Sequence, residues 1–139
     1  MTLAVDSSLV IPALDGSHEA HERVATFLEA AGELRLITHV ALEAYHVLTR
    51  VRPYRRLPPS AVVEALRSTF PGPLVGLADE DYWVVVDRAP SLGIVGGAIF
   101  DALIGTAARR ASLRLVSRDQ RAAATYAALG VDCELLPDA

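Results

Sequence analysis

The stretch Leu113-Arg114-Leu115-Val116-Ser117-Arg118-Asp119-Gln120-Arg121-Ala122, running on to Leu129-Gly130, decides how the chain is read. Residues 113–117 form a short, largely apolar strand. Asp119 lies just past its end, residues 120–129 read as a helix, and Gly130 stops that helix. A further strand, 131–135, completes a strand–helix–strand unit. Units of this kind build parallel sheets whose faces are covered by helices.

Outward from this unit the same alternation recurs. Residues 2–5 are an apolar strand, followed by Asp6-Ser7-Ser8 and a short helix over 9–14 with Ser or Asp as its cap. Residues 18–31 carry Val24, Phe27 and Leu28 on one face and meet Gly32 at the expected stop. Residues 34–37 predict a second strand, and Thr38 a cap for a helix to about Arg50. Pro53, Pro58 and Pro59 forbid its continuation, and a helical pattern resumes over 60–69 with Val62, Val63 and Leu66. Pro71-Gly72-Pro73 is a turn, and 74–77 a third strand. Within 79–92, Val84-Val85-Val86 favours strand on propensity. Asp79 as a cap, with Tyr82, Val85, Val86 and Ala89 at helical spacing, instead predicts a helix. Residues 93–97 are a glycine-rich approach to a helix over 99–111. The expectation is one α/β domain over 1–139, with a central parallel sheet of about four to five strands flanked by helices.

Composition narrows the function. With 139 residues, 52% of them hydrophobic, and a mean hydropathy of +0.32, the chain can bury a core and is not disordered. No apolar run approaches the roughly 18–20 residues of a membrane span. The start has neither the charged n-region nor the h-region of a signal peptide, so a cytoplasmic protein is expected. Cys133, the one cysteine, excludes an internal disulfide and a cysteine zinc site, and reads as a small buried hydrophobe. All 13 basic side chains are arginine, which excludes chemistry that needs a lysine amine. With a net charge of −4, nucleic-acid binding has to be local, through arginines and metal ions.

Four acids carry the chemistry: Asp6, Glu43, Asp101 and Asp119. Asp6 ends the first strand and Asp119 follows a later one, and open parallel sheets form their sites at the carboxyl ends of strands. Asp101 falls in the first turn of its helix, where the helix dipole favours negative charge. Glu43 shares the stripe His39, Glu43, His46, Arg50, opposite a core stripe of Val40, Ala44, Val47 and Leu48. Taken singly, Asp6, Asp101 and Asp119 read equally well as helix N-caps, and Glu43 as a surface residue. Converging on one cleft, they need a counter-ion, because like charges raise one another's pKa. Mg²⁺ or Mn²⁺ fits an all-oxygen set, and one or two such ions, about 3.5–4 Å apart if paired, suit phosphodiester hydrolysis. Ser8 and Ser117 add hydroxyls able to orient a water or a carboxylate.

Three stretches resemble the PIN-domain nucleases, and within them the VapC-type toxins of toxin–antitoxin pairs. They are Val5-Asp6-Ser7-Ser8-Leu9-Val10, Gly97-Ala-Ile-Phe-Asp101-Ala-Leu-Ile104, and Leu115-Val-Ser-Arg-Asp119 continuing to Tyr126-Ala-Ala-Leu-Gly130. Glu43, within His39-Val-Ala-Leu-Glu43-Ala-Tyr, matches the acid of the family's early helix. The likeness covers nearly the whole chain. It implies a three-layer PIN fold and a Mg²⁺- or Mn²⁺-dependent endoribonuclease that cuts RNA by a metal-activated water, leaving a 5′-phosphate and a 3′-hydroxyl. It implies metal-binding roles for Asp6, Glu43, Asp101 and Asp119, with Ser8 and Ser117 in support; Ser117 stands where many relatives carry threonine. A cognate VapB-type antitoxin and a homodimer are implied as well.

Several other features have two readings. Arg50-Val-Arg52-Pro-Tyr54-Arg55-Arg56 offers arginines and an aromatic ring to RNA or antitoxin, or is a solvated turn. Arg118 and Arg121 flank Asp119, within reach of a phosphate or of nearby acids. Arg109 and Arg110 compensate a helix C-terminus. Glu43-Ala-Tyr-His46 has the spacing of a di-iron ligand pair but lacks the second copy and the four-helix frame. His18 and His21 lack further zinc ligands and read as surface residues. Receiver domains and haloacid-dehalogenase-like phosphatases share the acid cluster but need a lysine that this chain does not have. The competing function is a catalytically inactive PIN-like module that grips RNA or antitoxin without cutting.

Overall fold

Four short strands form the sheet: β1 (Leu3–Val5), β2 (Leu34–Arg35), β3 (Arg114–Ser117) and β4 (Cys133–Leu135). They pair in parallel in the order β2-β1-β3-β4. The computed structural model describes residues 2–50 and 57–138. Ala4, Val5, Leu115 and Val116 are completely buried, as expected of central parallel strands covered on both faces.

Among the described residues the helices are α1 (Ser7–Leu14), α2 (His21–Ala30), α3 (Thr38–Thr49), α4 (Pro59–Thr69), α5 (Asp79–Arg88), α6 (Ala98–Arg110) and α7 (Gln120–Ala128). The helices α1 to α4 pack among themselves, as do α5 to α7. From β1 the chain steps outward to β2, then returns past β1 to β3 and continues to β4. The chain thus leaves β1 toward one side and β3 toward the other, and that divergence opens a crevice between the ends of the two strands. No helix among the described residues is long and apolar enough to cross a membrane.

The expected third strand, 74–77, shrinks to one bridge in which Val75 pairs with Ile37. Pro71 and Pro73 have no N–H to donate, and the Pro73 carbonyl is taken by Arg35 Nε and Nη2 at 3.0 and 2.9 Å. Strand 34–37 is likewise shorter, because the chain enters α3 directly at Thr38. Thr38 and Asp79 are not caps: Ile37 and Ala78 occupy the N-cap positions of α3 and α5. The helix expected from residue 18 begins at His21. Before it, Ser17 donates its N–H and hydroxyl to Asp15 at 3.0 and 2.6 Å, and His18 Nδ1 accepts from Ala20 N. Such local bonds hold the backbone in a turn. His21 is tied through Nδ1 to the Pro12 carbonyl at 2.8 Å, so His18 and His21 serve local structure.

The choice of helix over strand at 79–92 holds, with Pro90 ending α5 and opening a single 3₁₀ turn, Pro90–Leu92. Its apolar face is only half covered: Val85 and Ala89 are buried, whereas Tyr82 and Val86 are exposed. Cys133 is partly rather than fully buried.

Candidate active site

Asp6 is the anchored member of the cluster. It caps α1, accepting the Ser8 N–H at 3.0 Å on Oδ1, and is only 3% exposed. Oδ1 also accepts the Ser8 hydroxyl, and Oδ2 accepts the Tyr126 hydroxyl at 2.9 Å. Burial raises its pKa, and the bonds from Ser117, Ser8 and Tyr126 oppose that rise.

The two serines work as relays. Arg118 N donates to Ser8 Oγ at 2.8 Å, and that hydroxyl donates onward to Asp6. In the same way Asp119 N donates to Ser117 Oγ at 3.0 Å, and Ser117 supports the Asp6 carboxylate. The turn after β3 thereby holds the acid at the end of β1, across the crevice. Ser117 is wholly buried, so its hydroxyl orients the carboxylate rather than a solvent water.

Tyr126, at the inner face of α7, is a site residue that sequence reasoning did not single out. Its ring is completely buried, and Gly105 of α6 admits it: a Cβ there would lie 2.9 Å from Tyr126 Cδ1. A fully buried tyrosine requires a hydrogen-bond partner for its hydroxyl, and that requirement was the available signal. Burial, together with the neighbouring charge of Asp6, raises its pKa and keeps the hydroxyl a donor.

Asp119 caps α7 through Oδ1, which accepts the N–H groups of Arg121 and Ala122 at 2.9 and 3.3 Å. Asp101 is not a cap, since Gly97 takes that position and Asp101 lies in the first turn of α6. Its carboxyl is pushed up to about 6 by burial and by the charges of Asp119, Asp6 and Glu43. Burial is the larger cause, and the charges of the other three acids add to it. Glu43 joins from α3, whose opposite stripe, Val40, Ala44 and Leu48, is buried.

Among the described residues, none of the four acids forms an ion pair. Nor do any three acidic, histidine or cysteine side chains close into a ready cage. An uncompensated all-oxygen set of this open kind suits Mg²⁺ or Mn²⁺, which retain several waters and need few protein oxygens.

Of the flanking arginines, Arg118 is engaged: Nη1 donates to the Ser8 carbonyl at 3.2 Å and Nη2 pairs with Asp138 at 3.0 Å. Arg121 is exposed beside Asp119. Arg109 donates to the Leu129 carbonyl at 3.1 Å, and Arg110 pairs with Asp81 at 2.9 Å, rather than serving only the end of their own helix. Arg52, Arg55 and Arg56 lie outside the described residues.

A four-stranded parallel sheet with an acid at each lip of its switch point defines a class, and the comparison with known families agrees. The PIN-domain family matches residues 3–128, and the chain belongs to that family. It is 35% identical over 134 residues to ribonuclease VapC40 of Mycobacterium tuberculosis, covering 96% of this chain and 98% of that one. Ribonuclease VapC27 of the same organism is 37% identical over 129 residues, 93% of each chain. Among solved structures, FitAcB from Neisseria gonorrhoeae matches with a TM-score of 0.71 at 18% identity, over 96% of each chain. VapBC2 from Rickettsia felis, bound to a DNA fragment from its promoter, matches with a TM-score of 0.69 at 12% identity, over 98% and 99%.

Proposed function

We propose that the chain is a divalent-metal-dependent endoribonuclease of a toxin–antitoxin pair, restrained by a VapB-type antitoxin. The names of VapC40 and VapC27 support the activity, and the likeness to VapBC2 supports the kind of partner. The observation that carries the reading is the placement of Asp6 and Asp119 at the ends of the paired strands β1 and β3, beside Asp101, whose carboxyl is raised by burial and then by the charges of Asp119, Asp6 and Glu43.

Asp6, Glu43, Asp101 and Asp119 would hold Mg²⁺ or Mn²⁺. When bound, the ion neutralises the cluster, acidifies a coordinated water and stabilises charge on a phosphoryl oxygen. Asp6 enters with its orientation already set by Ser8, Ser117 and Tyr126, which reduces the ordering cost of binding. Asp119 keeps Oδ2 available, because Oδ1 alone serves the helix cap. Arg121, next to Asp119 and exposed, can meet a substrate phosphate.

The test is cleavage of a mixed RNA pool after exhaustive chelation, with and without added Mg²⁺ or Mn²⁺, for wild type, Asp6→Asn and Asp101→Asn. Metal-restored cutting by wild type alone supports the reading. Cutting that survives chelation, or is equal in the variants, contradicts it; binding without cutting favours the inactive module.

A further inference from the structure

Phe100 is the exposed member of the chain's three phenylalanines: 51% of it meets solvent, whereas Phe70 is 5% exposed and Phe27 is half-buried. Leaving half of such a ring in water forgoes part of the stabilisation that burial would bring. The ring is not loose, however. His39 of α3 stacks on it with ring centroids 5.1 Å apart and planes inclined by 3°. The pair thus bridges the two helices that carry Glu43 and Asp101. Phe100 immediately precedes Asp101, and His39 sits one helical turn before Glu43 on the same stripe. Through these two neighbours the stack stands beside two of the four acids.

With a net charge of −4, the chain offers a phosphate backbone little attraction beyond its arginines and a bound cation. Binding energy for a nucleic-acid strand therefore has to come partly from uncharged contacts. Stacking on an oriented aromatic ring is such a contact, and it accepts any base because every base has a π-face.

We propose that Phe100, propped by His39, is a ledge on which a nucleobase of single-stranded RNA stacks beside the scissile phosphate. This rests on the ribonuclease reading given above. At about 1–3 kcal/mol per stacked base, loss of the ring corresponds to about a five- to 150-fold weakening.

The experiment is steady-state cleavage of a labelled single-stranded RNA in Mn²⁺ by wild type, Phe100→Leu and Phe100→Trp. Phe100→Leu raises KM by about five- to 150-fold with kcat and melting temperature little changed, and Phe100→Trp restores KM. An unchanged KM in Phe100→Leu overturns the proposal. So does an unchanged KM accompanied by loss of self-association in light scattering, which assigns the ring to a second copy. Absence of cutting by wild type with any metal refutes the ribonuclease reading instead. The ledge is then read by titrating wild type and Phe100→Leu into RNA containing 2-aminopurine. Quenching by wild type that Phe100→Leu lacks supports it; equal quenching, or none, overturns it.

Discussion

Gly105→Ala sets two opposing effects against each other. Replacing glycine by alanine inside a helix normally gains about 1 kcal/mol. Here the added Cβ lies 2.9 Å from Tyr126 Cδ1 and 3.1 Å from Val131 Cγ2. Overpacking of a core costs about 1–3 kcal/mol. The Tyr126 ring is fully buried and its hydroxyl is tied to Asp6, so it cannot yield without loosening that bond. A buried hydroxyl left unpaired costs about 1–3 kcal/mol more. The clash prevails, for a net loss of about 1–5 kcal/mol once the propensity gain is subtracted. At about 3–4 °C per kcal/mol for a chain of this size, melting falls by about 3–20 °C. Because Tyr126 orients Asp6, Mn²⁺ affinity falls as well, by about 10- to 100-fold if the residue acts as an outer-shell support. Circular-dichroism melts and Mn²⁺ titration calorimetry read the two effects. A variant that melts at or above wild type with unchanged Mn²⁺ affinity refutes the reasoning.

pH gives an independent handle. Folding raises Asp101 from 3.8 to about 6, so the fold favours the protonated carboxyl. Stability of the metal-free protein therefore falls as pH rises through about 4 to 6, and Asp101→Asn flattens that fall in melts taken across the range. Mg²⁺ stabilises wild type more at pH 8 than at pH 5, because it binds the ionised cluster. Arg118→Ala loses the links to the Ser8 carbonyl and Asp138 and costs about 1–2 kcal/mol in denaturant unfolding. Exposed Arg121→Ala stays within about 0.5 kcal/mol of wild type, and on the ribonuclease reading weakens RNA binding. Ser112 has a φ of 56° just past α6, so Ser112→Gly stabilises by about 1 kcal/mol in the same assay.

The legible parts of the sequence were those where local chemistry and topology coincide. Asp6 and Asp119 stand at strand-to-helix junctions, and both the cap and the place at the sheet's edge can be read from their neighbours. The alternation of strand and helix gave the parallel sheet, but not its trimmed edge. A single bridge at Val75 depends on where the prolines leave carbonyls for Arg35. Periodicity identified α5 as a helix yet could not tell which of its apolar residues would be covered. Tyr82 and Val86 share the helical spacing of Val85 and remain exposed. The support of Asp6 by Tyr126 spans 120 positions in sequence and depends on a missing side chain at Gly105. Such a contact leaves no periodic trace; only the need of a buried hydroxyl for an acceptor hints at it. The pairing of His39 with Phe100 is of the same kind, since it joins two helices that are distant in sequence and meet only in the folded chain.

The central claim is that Asp6, Glu43, Asp101 and Asp119 share a divalent cation. Anomalous diffraction from crystals soaked in Mn²⁺ tests it most directly. The account predicts a manganese peak at the crevice between the ends of β1 and β3, within ligating distance of Asp6 or Asp101 directly and of the remaining acids through water. A crevice without manganese at saturating concentration, or a peak bound only elsewhere on the protein, contradicts it.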